Sequence, residues 1–336
     1  MGTFSRDNRT LLYNGSPAKL AGALAGKDDY TTTDQLVPPF NDDMPRLSDF
    51  NNNFTRHWLI PYWKYSPKNS INPVNCAFAR QGNKWNLSAY NADYFARLNQ
   101  MIDAAAQAHI AVQLVLFDRC GLDVSKADEA PVQRWPDSPW NASNNVNGML
   151  ANDPAPGIPR FYTDQAMRPL QEAWIRYAVG QTKNHWNVFY EVMNEPVSNA
   201  VDDRVGWANW VVGVIHSVTG GANLIFYNSF PGISGQDVAT WQAGRNAQYR
   251  NYDKFHGVIF HGDPTTVDPT HGGYPFLNEK IFQVCSDGGP AAVRDRFDTN
   301  KNWTSWAFAH NMMFQAHSLS TEAARGVGWN SPTPLR

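Results

Sequence analysis

Eight short runs of β-branched, aromatic and aliphatic residues recur along the chain, and stretches of helical periodicity separate most of them. The runs are Ala18–Gly22, Phe54–Ile60, Ala111–Asp118, Val188–Asn194, Leu224–Asn228, Gly257–His261, Lys280–Cys285 and Thr304–His310. Several are apolar almost throughout, as in Val112-Gln113-Leu114-Val115-Leu116-Phe117. A strand with one wet face alternates polar and apolar residues. A strand covered on both faces does not, and that is the habit of parallel sheets sheathed by helices. Helical patterns lie at Tyr90–His109, Asp164–Lys183, Asp202–Val218, Pro290–Phe297 and Asn311–Ala324. In the first of these Tyr94, Leu98, Met101, Ile102 and Ala105 share one face. Eight strands in β/α alternation over 336 residues predict a (β/α)8 barrel, an α/β fold. A doubly wound open sheet would carry a Gly-rich phosphate loop after its first strand, and Gly22-Ala23-Leu24-Ala25-Gly26 lacks that spacing. No repeat or Pro/Gly/Ser linker divides the sequence, so residues 1–336 read as a single domain.

Composition narrows the partners. A formal net charge of −2 gives no basic footprint for nucleic acid or for an anionic membrane surface. No run reaches the roughly 18 apolar residues that a spanning helix needs. The three cysteines, Cys76, Cys120 and Cys285, permit at most one disulfide and show no metal-ligand spacing. The nine histidines form neither His-x-His nor His-Glu-x-x-His, so no catalytic metal and no cofactor are expected; a metal site of His261, Asp263 and His271 is the weak alternative. Met1-Gly2-Thr3-Phe4-Ser5-Arg6-Asp7 lacks the apolar core of a signal peptide. The expectation is a secreted or periplasmic protein whose leader has been removed, with a cytoplasmic location the alternative, and a monomer.

A barrel presents its chemistry at the C-terminal ends of its strands. Two of those ends carry acids. The fourth run closes with Tyr190-Glu191-Val192-Met193-Asn194-Glu195-Pro196, which places Glu195 at the barrel mouth. Burial among aromatics favours the protonated carboxyl that a general acid requires, and Asn194 can hydrogen-bond a substrate hydroxyl. A helix-capping role for Glu195 is the plainer reading. The seventh run ends Val284-Cys285-Ser286-Asp287-Gly288-Gly289. Asp287 by itself reads as a turn residue, since Asp-Gly is a common turn dipeptide. Two carboxylates facing one cleft are the equipment of glycosidic cleavage.

These residues resemble clan A of the glycoside hydrolases, the barrel superfamily that includes the cellulase-like enzymes of family 5. Asn194-Glu195-Pro196 after the fourth strand matches the clan's signature and implies that Glu195 is the acid/base. Asn53-Phe54-Thr55-Arg56-His57-Trp58 is similar to the clan's second strand, which implies that Arg56 supports the nucleophile. His261 resembles the clan's substrate-contacting His. Trp306, in Trp303-Thr304-Ser305-Trp306, is similar to the Trp that floors the sugar subsite. The opening Leu11-Leu12-Tyr13-Asn14-Gly15-Ser16-Pro17 resembles the edge element before the first strand. The chain departs from the clan at the seventh strand, where Asp287 stands in place of Glu. It departs again at the sixth, with His261-Gly262-Asp263, and at the third, where Phe117-Asp118 replaces a His.

The implied function is hydrolysis of O-glycosidic bonds in a polysaccharide or oligosaccharide, with Asp287 as nucleophile. Retaining enzymes hold their carboxyls about 5–5.5 Å apart and inverting ones about 6.5–9.5 Å apart, so a side chain one methylene shorter leaves inversion, with Asp287 activating water, as a rival. A carbohydrate-binding barrel without catalysis is the second rival. The stretch from Arg119 to about Arg160 is long, and long loops in compact domains tend to carry function. Trp135, Trp140 and Trp58 read equally as sugar-stacking residues and as anchors of the surrounding structure. Thirteen tryptophans and 17% charged residues suit stacking on sugar rings, although large cores use Trp as well.

Overall fold

The computed structural model describes residues 2–24, 43–59, 76–119, 122, 138–148, 159–196, 201–229, 254–261, 279–286, 296–316, 321–330 and 332–335. Eight parallel strands form a nearly closed barrel. They are β4 (Ala21–Ala23), β5 (Phe54–Trp58), β8 (Ala111–Val115), β9 (Val188–Glu191), β10 (Ile225–Ser229), β11 (Gly257–His261), β12 (Ile281–Ser286) and β13 (Met312–Ala316). Their spatial order β4-β13-β12-β11-β10-β9-β8-β5 is the sequence order read round a ring. The chain has the expected (β/α)8 fold.

The ring closes between its first and second strands. Asn53 N donates to Ala21 O (3.1 Å) and Thr55 Oγ1 to Ala23 O (3.2 Å), while the side chains of Asn53 and Asn52 accept from Ala21 N and Ala23 N at 2.9 Å each. Gly22 makes this seam possible. A Cβ there would lie 1.5 Å from Phe54 O, inside any permitted contact.

Alternation along each strand sorts the side chains. Phe54, Ala111, Phe189, Phe226, Ile259, Ile281 and Met313 point inward and form a buried apolar floor. The antiparallel sheet of β1 (Phe4–Asp7), β2 (Thr10–Tyr13) and β3 (Ser16–Pro17) covers that floor, with the Phe4 ring edge-on to Phe189 at 4.8 Å. It is the edge element that the opening sequence resembles. Two residues further along the strands the inward face turns polar: Arg56, Gln113, Glu191, Asn228 and Gln283, each no more than 1% exposed. Buried polar groups are costly unless paired, and these pair with one another, as in Gln283 Nε2 to Gln113 Oε1 at 2.8 Å.

The outward strand faces pack under helices. Besides β6 (Phe78–Gln81) and β7 (Lys84–Tyr90), a hairpin before the third barrel strand, these include α1 (Asp43–Asp49) and α2 (Ala92–Gln107). They also include α3 (Pro159–Thr163), α4 (Arg168–Thr182), α5 (Val201–Thr219), α6 (Phe297–Ala309) and α7 (Thr321–Gly328). Helix α2 starts at Asn91, whose side chain accepts from Tyr94 N (3.2 Å), and buries the face predicted for it together with Phe95. Each fully buried large side chain there contributes about 1.5–3 kcal/mol. Trp174 reaches from α4 to the carbonyl of Leu116 (3.1 Å), and Trp207 from α5 to Gln171 Oε1 (3.0 Å). Many of the tryptophans therefore serve the core.

Two of the expected elements need correction. Thr304–His310 is helix, not strand: Asn300, Trp303, Thr304, Ala307 and Phe308 are buried with helical spacing in α6. The eighth strand is Met312–Ala316, so the helical pattern assigned to Asn311–Ala324 breaks into β13 and α7. Trp306 consequently sits in the last turn of α6, its ring 4.2 Å from that of His310. That turn feeds the N-terminal end of β13, across the barrel from the end that carries Glu195, so Trp306 does not floor a subsite there. Of Pro290–Phe297, only the last two residues are described, and α6 begins at Phe297.

Candidate active site

Strand β9 carries the central motif out of the barrel. Asn194 bridges in parallel to Asp118 beyond β8: its N–H donates to Phe117 O (2.8 Å) and its C=O accepts from Arg119 N (3.1 Å). Glu195 follows with φ +47°, a left-handed conformation that a non-glycine residue adopts at a cost of about 1–3 kcal/mol. Pro196 is held behind it by Arg204, whose Nη1 donates to the Pro196 carbonyl at 3.1 Å. The turn aims a carboxylate out of the strand end instead of along it, and the Glu195 side chain keeps 16% exposure.

Both oxygens of that carboxylate face nitrogens. Arg119 Nη2 lies 3.1 Å from Oε2, and His261 Nδ1, from the end of β11, lies 3.6 Å from Oε1. The second contact is just beyond hydrogen-bonding reach. Beneath them runs a continuous buried network. Asn194 Nδ2 donates to Asp118 Oδ1 (3.0 Å), and Arg56 Nη2 donates to Asn194 Oδ1 (2.8 Å). Arg56 grips Glu191 with two hydrogen bonds, Nε to Oε2 at 2.7 Å and Nη2 to Oε1. Asn228 Nδ2 donates to Glu191 Oε1 (2.8 Å) and lies 2.8 Å from His261 Nε2. The Arg56 guanidinium also stacks on Trp58, 4.6 Å from the ring centroid. The set holds three carboxyl groups, Asp118, Glu191 and Glu195, against two guanidiniums, Arg56 and Arg119.

Five of the expected residues thus come together with Glu195: Arg56, Trp58, Asp118, Asn194 and His261. Asp287 lies outside the described residues, directly after Ser286 at the end of β12, and so does its expected contact with Arg56. Trp135 lies outside them as well. Trp140 is 1% exposed, edge-on to Phe78 and to Phe161 at 5.4 Å each, so it anchors the long loop and presents no face to a sugar. Cys285 is a buried thiol whose Sγ donates to Gln315 Oε1 (2.8 Å), with Arg56 Nη1 3.8 Å away.

Sequence reasoning missed Arg119, Glu191 and Asn228. Glu191 was detectable: a carboxylate inside the apolar run Val188–Met193 must face a partner in the barrel. Asn228 and Arg119 carry no comparable signal, since a polar residue at a strand end is commonplace. Among the described residues no group of three His, Cys, Asp or Glu side chains could hold a metal ion, and no helix is long and apolar enough to cross a membrane.

No protein-family model matches the chain, and no curated protein matches it in sequence. Solved structures do match it in shape. An endo-1,4-β-mannanase from Rhizomucor miehei superposes with a TM-score of 0.64 at 13% identity, covering 98% of both chains. A β-1,4-D-mannanase from Cryptopygus antarcticus gives 0.60 at 13% identity, covering 98% of this chain and 95% of that one. A glycoside hydrolase family 5 mannosidase from Rhizomucor miehei gives 0.60 at 10% identity, covering 98% and 97%. In fold, the chain is a (β/α)8 barrel of the kind seen in family 5 mannosidases and in mannanases.

Proposed function

We propose that the protein is a glycoside hydrolase that cleaves O-glycosidic bonds in a polysaccharide, with β-1,4-mannan the first substrate to try. The observation that carries this reading is the half-sheltered Glu195 at the end of the fourth barrel strand, turned outward by its positive φ and met by Arg119 and His261. Glu195 protonates the leaving glycosidic oxygen and then, as a carboxylate, takes a proton from water. Asp287, the acid that follows the seventh strand, attacks the anomeric carbon. Asn194 and Asp118, joined at 3.0 Å on adjacent strand ends, hold sugar hydroxyls, with Trp58 beside them. Inversion is the second reading, favoured by the short Asp287 side chain, which would then activate water.

The test is release of reducing ends from β-1,4-mannan and a wider glycan panel by wild type, Glu195→Gln and Asp287→Asn. General acid–base catalysis is worth about 10²–10⁴-fold, and each variant should lose at least that much. A Glu195→Gln enzyme as active as wild type overturns the assignment. NMR of the first product separates the two stereochemical readings, a retained anomer supporting attack by Asp287 on carbon.

A further inference from the structure

The buried contacts below Glu195 determine which nitrogen of His261 carries the proton. Glu191 is fully buried and gripped by the Arg56 guanidinium, so its oxygens are acceptors only. The Asn228 atom 2.8 Å from Glu191 Oε1 must therefore be the amide nitrogen, because its oxygen there would oppose a carboxylate. That same nitrogen lies 2.8 Å from His261 Nε2. An amide NH2 offers two protons and no acceptor, so one proton goes to Glu191 and the other to the ring. Nε2 accepts and is unprotonated; in the neutral ring the proton resides on Nδ1, which faces Glu195 Oε1 at 3.6 Å.

We propose that Glu191 and Asn228 are positioning residues that lock His261 in its Nδ1–H tautomer, so that a ring N–H is presented to Glu195. Arg119 then donates to Oε2 at 3.1 Å while the His261 ring N–H faces Oε1 at 3.6 Å, so the Glu195 carboxyl has a donor on each side. The effect on catalysis rests on the hydrolase reading; the tautomer does not.

Long-range ¹H–¹⁵N spectra of the whole protein, labelled at histidine and assigned with His261→Gln, read the tautomer directly. Wild type should show His261 with a protonated Nδ1 and an unprotonated Nε2. Asn228→Asp, of equal size, places an acceptor on Nε2 and should move the proton there. A wild-type Nε2–H ring overturns the proposal, as does an unmoved tautomer in folded Asn228→Asp; if that variant does not fold, the wild-type spectrum decides. On mannan, Asn228→Asp should lower kcat about 10- to 100-fold with KM little changed. A flipped tautomer with unchanged kcat removes the positioning role. A wild-type protein that shows Nδ1–H yet cuts no glycan leaves the tautomer standing and defeats the hydrolase reading.

Discussion

Arg56 on the second barrel strand and Glu191 on the fourth meet inside the barrel through two hydrogen bonds, and neither side chain has any exposure. Such a pair is costly to desolvate, and its attraction roughly offsets that cost only while both partners are present. Arg56 also donates to Asn194, and Glu191 accepts from Asn228, so the pair connects the strand ends that carry Asn194 and His261. Removing one partner strands a buried charge. Glu191→Leu should lose about 3–5 kcal/mol of unfolding free energy, whereas Glu191→Leu with Arg56→Met should lose clearly less than the two single changes together. Urea unfolding of the four proteins measures this. Strict additivity would mean that the pair is energetically uncoupled.

The barrel seam gives a second test. A methyl group on Gly22 would sit 1.5 Å from the Phe54 carbonyl, which belongs to the strand that closes the ring. The main chain must part to admit it, and Gly22→Ala should cost about 3 kcal/mol or more. Gly180, inside α4, meets nothing within 4 Å, and there the same change should gain about 0.5–1 kcal/mol by restricting the unfolded chain. Thermal melts of both variants check the contrast. Equal effects at the two positions would show that the close approach at the seam is not what demands glycine.

How legible these features were follows from where each signal resides. Seven of the eight barrel strands could be placed from apolar runs because burial on both faces leaves little else in them. The eighth, Met312-Met313-Phe314-Gln315-Ala316, has no β-branched residue and reads as helix. Trp303, Thr304, Trp306 and Phe308 just before it favour strands by type, while the buried residues Asn300, Trp303, Thr304, Ala307 and Phe308 follow a helical period. Propensity and periodicity disagreed there, and packing followed periodicity. At the site, the place of Glu195 beyond the end of the fourth barrel strand was legible from its motif. The lock on His261 was not, because Glu191 and Asn228 act through pairings 37 and 33 residues apart in sequence that only the barrel's order creates.

Two histidines make stability depend on pH. Burial pushes His57 from 6.5 down to about 4, and burial followed by the charges of Arg6, Lys280 and His216 pushes His256 down to about 3. His256 Nδ1 also accepts from Ile225 N (3.0 Å), a bond that protonation there would break. Both rings are neutral in the fold and protonate in the unfolded chain first, so the unfolded state binds the extra protons as pH falls. Their contribution is complete above pH 6.5 and declines down to about pH 4 for His57 and about pH 3 for His256. For His57 the loss is on the order of 3 kcal/mol at about 1.36 kcal/mol per unit. Urea unfolding at neutral pH and near pH 4.5 should show the decline, and His57→Asn should flatten it. An unchanged slope in that variant would assign the acid sensitivity elsewhere.

Arg119 sets up the last prediction, because its position opposes the role given to its neighbour. The guanidinium lies 3.1 Å from Glu195 Oε2 and favours the carboxylate, yet the first step of glycosidic cleavage needs the acid. The second half of a retaining cycle needs the carboxylate, so the contact suits one half and hinders the other. Arg119→Met keeps the stem of this buried side chain and deletes its charge. With the charge gone, the protonated form of Glu195 is no longer disfavoured by its neighbour, and the alkaline limb of kcat/KM on soluble mannan should move to higher pH. Arg119→Lys, which keeps a positive charge, should leave that limb nearer its wild-type position. If the limb instead falls, or moves equally in both variants, the ionisation that governs it is not that of a carboxyl paired with Arg119, and Glu195 loses its place as the acid.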